Sequence, residues 1–350
     1  MSSSQNNFIK TLSKQKSEQI PVYCTGYPQI GFIKNYLRKY TPHLKNKGIV
    51  LYEKDYSLIK QMGFDAISLW EFRKGEGGYT LDNQLRVDGW GRIYNEDWYT
   101  WDGVFKNDKI VQNWTHLTLP SEEKINNLKK FLKKNQKAME FVISLPGLFE
   151  KTWQSMGFIY FAKSLKKNKA FIEDVIFFFS DYLKKLIPLF QKIEVRTFLV
   201  ADDYGYKYRE FISPKLWQSL FFHPYKEIID MIHKQNQKII IHSDGFISNL
   251  VQSFIDLQFD AIQSLEPTAG VDIFALFKKF KNQICFIGNL DITLLSFGSL
   301  QQVKAYVNKL IKKATESKSP LIVSPTHQIT THNKPENIKI MIETAQNFHI

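Results

Sequence analysis

The chain has 350 residues, 43% hydrophobic and 15% aromatic, with only 12 Pro and 17 Gly, a composition that excludes wholesale disorder and supplies a large core. Cys24 and Cys285 allow at most one bridge and neither has a CxxC partner, so a disulfide scaffold and a cysteine-rich zinc module are both excluded. The net charge of +13 points first to a basic nucleic-acid or acidic-partner binding protein on an inactive barrel, but of the 47 basic residues only Arg38, Arg73, Arg86, Arg92, Arg196 and Arg209 are arginine.

Most lysines fall in stretches such as Asn126 to Lys134, where apolar residues mark one helical face and lysines the other, so a solvated surface accounts for the charge. No run approaches eighteen consecutive apolar residues, and Met1 to Asn7 lacks the basic-then-apolar pattern of a secretory signal. The expectation is a soluble, cytoplasmic chain with neither membrane nor nucleic acid as partner.

In chain order, the first residues read as a helical lead-in packed across the bottom of the fold. Short β-branched runs then predict strands near Val22 to Thr25 and Ala66 to Trp70. Residues 73–118 form an insertion, rich in Gly and Trp from Arg73 to His116, that reads as a β-hairpin excursion over the mouth. A strand near Phe141 to Leu145 precedes a double helical stretch, Leu148 to Ile193, whose Phe177-Phe178-Phe179 cluster reads as packing.

Further strands follow near Arg196 to Ala201, Lys238 to His242, Asp260 to Leu265, Ile284 to Gly288 and Leu321 to Ser324. Ser213-Pro214 and Lys334-Pro335 place proline at the first position of helices between or after them. Eight strands joined by helical crossovers close most simply as a (β/α)8 TIM barrel spanning residues 1–350 as one domain, with an open doubly wound sheet as the alternative.

A barrel gathers the ends of its strands around one cavity, whatever their separation in sequence. Those ends are Trp70-Glu71, Asp202-Asp203-Tyr204-Gly205, His242-Ser243-Asp244-Gly245, Glu266-Pro267, Asn289-Leu290-Asp291 and Thr326-His327-Gln328. His242 and Asp244 are two apart on an extended segment, so both leave on one side; His327 or Glu266 would complete a nitrogen/oxygen site for a metal. The same two residues also suit a hydrogen-bonded pair that steadies a loop. Asp202 and Asp203 offer a general base, Tyr204 a substrate-orienting hydroxyl and Glu71 an acid, while the Asp pair equally suits a helix cap or turn. Cys24 reads as a buried small hydrophobe.

Taken in order, these motifs resemble the uroporphyrinogen decarboxylase superfamily, which includes the corrinoid methyltransferases of the methylcobamide:coenzyme M type. Its carriers are Ile20-Pro21-Val22-Tyr23, Asp202-Asp203-Tyr204-Gly205 with Ser213-Pro214, Ile241-His242-Ser243-Asp244-Gly245, Leu265-Glu266-Pro267-Thr268-Ala269-Gly270, Gly288-Asn289-Leu290-Asp291 and Ser324-Pro325-Thr326-His327-Gln328-Ile329. The resemblance implies a (β/α)8 barrel.

Its decarboxylase branch implies a cofactor-free enzyme of porphyrin biosynthesis, with arginines near the first strand clamping tetrapyrrole carboxylates. Here Tyr23 to Gln29 contains no arginine, although His327 matches that branch's late histidine, and Asp202 or Glu71 would be the acid. The methyltransferase branch implies zinc held by His-x-Cys after strand five and a Cys after strand eight. Here the positions read His242, Asp244 and His327, and the harder donors would leave zinc more Lewis acidic. The favoured expectation is methyl transfer, with zinc on His242, Asp244 and His327, Glu266 as fourth ligand or orienter, and Asp203 or Tyr204 positioning a small methylated substrate. A corrinoid protein is the expected partner, and a second copy of the chain, in a homodimer, another.

Overall fold

The computed structural model describes residues 3–40, 54–70, 77–81, 84–95 and 99–348. Its centre is one sheet of eight parallel strands: β1 (Tyr23–Cys24), β2 (Ala66–Leu69), β3 (Glu140–Pro146), β4 (Thr197–Ala201), β5 (Lys238–Ser243), β6 (Ala261–Ser264), β7 (Cys285–Leu290) and β8 (Leu321–Pro325). Spatial order follows chain order, and the ring is closed by a parallel bridge between Val22 and Val323, with Val323 N–H donating to Pro21 O at 2.9 Å. The expected (β/α)8 barrel is the observed architecture, and an open sheet is not.

Both faces of these strands are covered, which is why they read as near-continuous apolar runs rather than alternating ones. Alternation is still present in which way each side chain faces. Ala66, Val142, Leu199, Ile240, Ala261, Ile287 and Ile322 form an inner cluster, while Ile67, Ile143, Val200, Ile241 and Val323 belong to the outer core under the helices. Phe8 and Leu12, on the leading helix Ser3–Leu12, join the inner cluster, and the Phe8 ring stacks on Tyr23 at 5.9 Å. The lead-in helix thus stops the lower end of the barrel.

The surrounding helices follow their sequence signals. Ser213 caps Pro214–His233 by accepting from Leu216 N–H, and Glu122–Asn135 buries Ile125, Leu128 and Leu132 while its lysines face outward. The stretch expected as a double helix is three helices, Leu148–Met156, Phe158–Lys167 and Lys169–Gln191, because Asn168 ends the second and caps the third. Among the described residues no helix is long and apolar enough to cross a membrane.

The segment between β2 and β3 differs from a single hairpin. Its described part is a four-stranded antiparallel sheet, Gly78–Thr80, Arg86–Asp88, Arg92–Tyr94 and Tyr99–Gly103. The extra turn is made by Asp88, whose carboxylate accepts from Trp90 and Arg92 N–H at 3.0 Å each and pairs with the Arg92 side chain. Buried Trp90 packs on Phe179 and Tyr182, and the Tyr99 hydroxyl donates to Gln154 O at 2.9 Å, fixing the sheet against the helices after β3.

Candidate metal centre and aromatic cleft

The loops after β4 and β5 lie back to back. Asp202 N–H donates to His242 O at 2.9 Å, Tyr204 N–H to Ser243 Oγ at 2.9 Å, and Asp244 N–H to Asp203 Oδ1 at 2.9 Å. Contact is closest where Gly245 (φ +80°) meets Gly205: a Cβ on Gly245 would stand 2.3 Å from the Gly205 carbonyl carbon. The glycines that close the two motifs therefore let one loop support the other.

Strand alternation decides what each acid faces. Leu199 and Ala201 point into the barrel, so Asp203 continues the inward row, whereas Val200, Asp202 and Tyr204 point outward. Asp202 is fully buried and accepts from Phe149 N–H at 3.0 Å, Glu150 N–H at 2.7 Å, and the Tyr204 and Tyr225 hydroxyls at 2.5 Å each. It caps the helix Leu148–Met156 from outside that helix, and Gly147 has no room for a Cβ, which would fall 2.1 Å from the carboxyl. Burial, with the charge of Glu150, pushes the Asp202 carboxyl up to about 6 against the pull of these hydrogen bonds.

On β5, His242 follows the inward row from Ile240. Its Nδ1 donates to the Gln263 side-chain oxygen, while the Gln263 amide donates to Thr25 Oγ1 and Thr326 O at 3.2 Å each. That chain of bonds holds the ring in place, with Nε2 3.6 Å from Asp244 Oδ1 and 3.8 Å from Asp203 Oδ1. The other Asp244 oxygen lies 3.1 Å from His327 Nδ1, and His327 Nε2 lies 3.6 Å from Glu266 Oε1. Ser264 Oγ donates to Asp244 at 2.8 Å, and Gly245 N–H and Thr268 Oγ1 donate to Glu266. Ser264 and Leu265 have φ of +89° and +56°, strained values for side-chain-bearing residues, at the turn that aims Ser264 and Glu266 into the cluster.

Electrostatics follow the geometry. Burial alone would raise the Asp244 carboxyl, but His242, His327 and the Ser264 hydroxyl outweigh it and hold the group down at about 2. Burial opposes the charged form of His327, yet Asp244 and Glu266 outweigh it and lift the ring to about 10. His327, above all, also holds Glu266 below the usual carboxylate range.

Asp203, His242 and Asp244, and separately Asp244, Glu266 and His327, bring ligand atoms within 4.8 Å of one another. Two imidazoles and three carboxylates sharing Asp244 suit a borderline divalent ion such as zinc, which would replace the proton now shared by His327 and its acids. Glu71 lies outside the described residues. Cys24 is buried and its thiol pushed up by that burial, so it adds no soft ligand.

Beside this cluster opens a cleft of about 570 Å³. Its lining combines the acids Asp203, Asp244 and Glu150 and the cation Arg92 with the aromatic rings of Tyr99, Trp101, Trp153 and Phe211. Asp202 and Tyr204 do not line it. The sequence reading missed the aromatic lining, and it missed Gln263.

A family model described as uroporphyrinogen decarboxylase (URO-D) matches residues 151–348, more than half of the chain, which therefore belongs to that family. No curated protein sequence matches significantly. Among solved structures, a methyltransferase from Methanosarcina mazei is similar at a TM-score of 0.70 with 13% sequence identity, covering 99% of each chain. A sugar phosphate isomerase/epimerase from Parabacteroides distasonis is similar at 0.46 with 9% identity, covering 96% of each.

Proposed function

We propose that this chain is an enzyme of metal-assisted methyl transfer, moving a methyl group between a small methylated substrate and a corrinoid carried by a partner protein. The observation that carries this reading is Asp244, which lines a substrate-sized cleft and is shared by one ligand group with Asp203 and His242 and a second with Glu266 and His327. His242, Asp244, Glu266 and His327 would hold zinc, which when bound supplies Lewis acidity, sharper here than behind two thiolates. Gln263 orients His242 so that Nε2 faces Asp203 and Asp244. Asp203, inward-facing and hydrogen-bonded to Asp244 N–H, positions the substrate beside the cluster. Asp202 and Tyr204 act at one remove, anchoring the helix that carries Glu150 and Trp153 into the cleft.

Family membership and a fold shared with a methyltransferase are in keeping with this. Decarboxylation of a polyanionic tetrapyrrole is disfavoured by charge: among the described residues the one arginine lining the cleft, Arg92, is bound to Asp88, and it shares the lining with Glu150, Asp203 and Asp244.

The test is elemental analysis of protein purified without chelator, paired with demethylation of methylcobalamin by candidate thiol acceptors and methylation of cob(I)alamin by candidate methyl ethers. The expected result is about one metal per chain, lost together with turnover in His242→Ala. No stoichiometric metal, with unchanged activity in that variant, rejects the reading.

A further inference from the structure

The cleft combines two features that call for one kind of ligand. Trp101 and Trp153 stack with centroids 5.4 Å apart, and Tyr99 lies 6.0 Å from each, so three electron-rich rings form a continuous surface. Trp101 is 54% exposed, a large apolar ring left open at the mouth of a polar site. Against these rings stand Glu150, Asp203 and Asp244, while Arg92, the one lining cation among the described residues, is paired with Asp88 and lies over Tyr94 at 5.3 Å. A chain of net charge +13 thus places an anionic pocket at its barrel mouth. Asp203 and Glu150 line the cleft together with these rings.

Aromatic faces with carboxylates behind them attract a cation that carries an apolar skin. A primary ammonium or a metal aquo ion is more strongly hydrated and profits less from the rings, a carboxylate is repelled, and a neutral sugar can stack on the rings and donate to the acids but leaves their charge unbalanced. We infer that the cleft binds a methylated ammonium, tertiary or quaternary, with its methyl groups on Tyr99, Trp101 and Trp153 and its charge toward Asp203 and Glu150. As a substrate class this rests on the methyl-transfer reading; as a binding site it needs neither metal nor corrinoid.

Choline and its uncharged isostere 3,3-dimethyl-1-butanol, titrated by calorimetry and tryptophan fluorescence into metal-loaded and chelator-treated protein, separate the cases. The expected result is choline binding roughly ten-fold or more tighter than the isostere, weakened by a similar factor in Trp101→Ala, largely kept in Trp101→Phe, and weakened in Asp203→Asn. Equal binding of the two ligands, no choline binding at millimolar concentration, or choline binding unchanged in Trp101→Ala overturns it. A chain that binds choline but no metal keeps this inference and loses the methyl-transfer reading; one that binds metal without preferring the cation does the reverse.

Discussion

Oδ2 of Asp244 lies 3.1 Å from Nδ1 of His327, tying the loop after β5 to the loop after β8 across the barrel mouth. The same carboxylate faces His242 through its other oxygen, so one side chain joins two clusters that are separate in sequence. The ligand groups are held near one another by charge before any ion arrives, which lowers the ordering cost of binding one.

That arrangement makes Gln263 a positioning residue for the metal. Gln263→Leu keeps the shape of the strand but removes the acceptor that fixes the His242 ring. Zinc affinity measured by calorimetry is expected to fall about 10–100-fold, the usual effect of losing an outer-shell partner, with the circular dichroism spectrum unchanged. Unaltered affinity would mean that His242 does not depend on this bond.

A second expectation concerns the paired loops. Gly245→Ala puts a methyl group against the Gly205 backbone at a positive φ, and the two loops must part. The cost should be about 1–3 kcal/mol in denaturant unfolding, accompanied by weaker metal binding because Asp244 is the preceding residue. A variant with full stability and full metal affinity would show that the loops are not mutually braced.

A third lies at the opposite end of the barrel, away from the metal site. Buried Asp260 accepts from Ile239 N–H at 2.9 Å, Lys238 Nζ at 2.8 Å and His233 Nε2 at 3.0 Å. Burial opposes its ionisation, but His233, Lys238 and the Ile239 amide outweigh it and hold the carboxyl below the ordinary aspartate value. A depressed folded-state value means that this stabilisation is present above the unfolded value and lost as pH falls through the folded one. Asp260→Asn should therefore be less stable by about 1–3 kcal/mol at pH 7, with the gap to wild type closing below about pH 4. A constant gap across that range in urea titrations would exclude the linkage.

Much of the frame is legible in the sequence. Eight apolar runs ending in polar residues define the barrel, and His242, Asp244, Glu266 and His327 are visible as strand ends. Which of Asp202 and Asp203 faces inward is not, because adjacent residues on a strand take opposite sides and only the register tells them apart. Gln263 is hidden because it sits within its strand; its signal is a polar residue on the inward side of a buried run. Trp101 and Trp153 lie in different segments, one on an inserted sheet and the other on a helix after β3, and no local pattern pairs them.

The stopper formed by Phe8 and Leu12 couples the two ends of the described chain. These side chains find cover only among residues drawn from around the whole ring, Ile322 of β8 included. Prising the barrel apart at the seam between Val22 and Val323 would thus uncork its base as well, so the closing strand and the leading helix should unfold in one event.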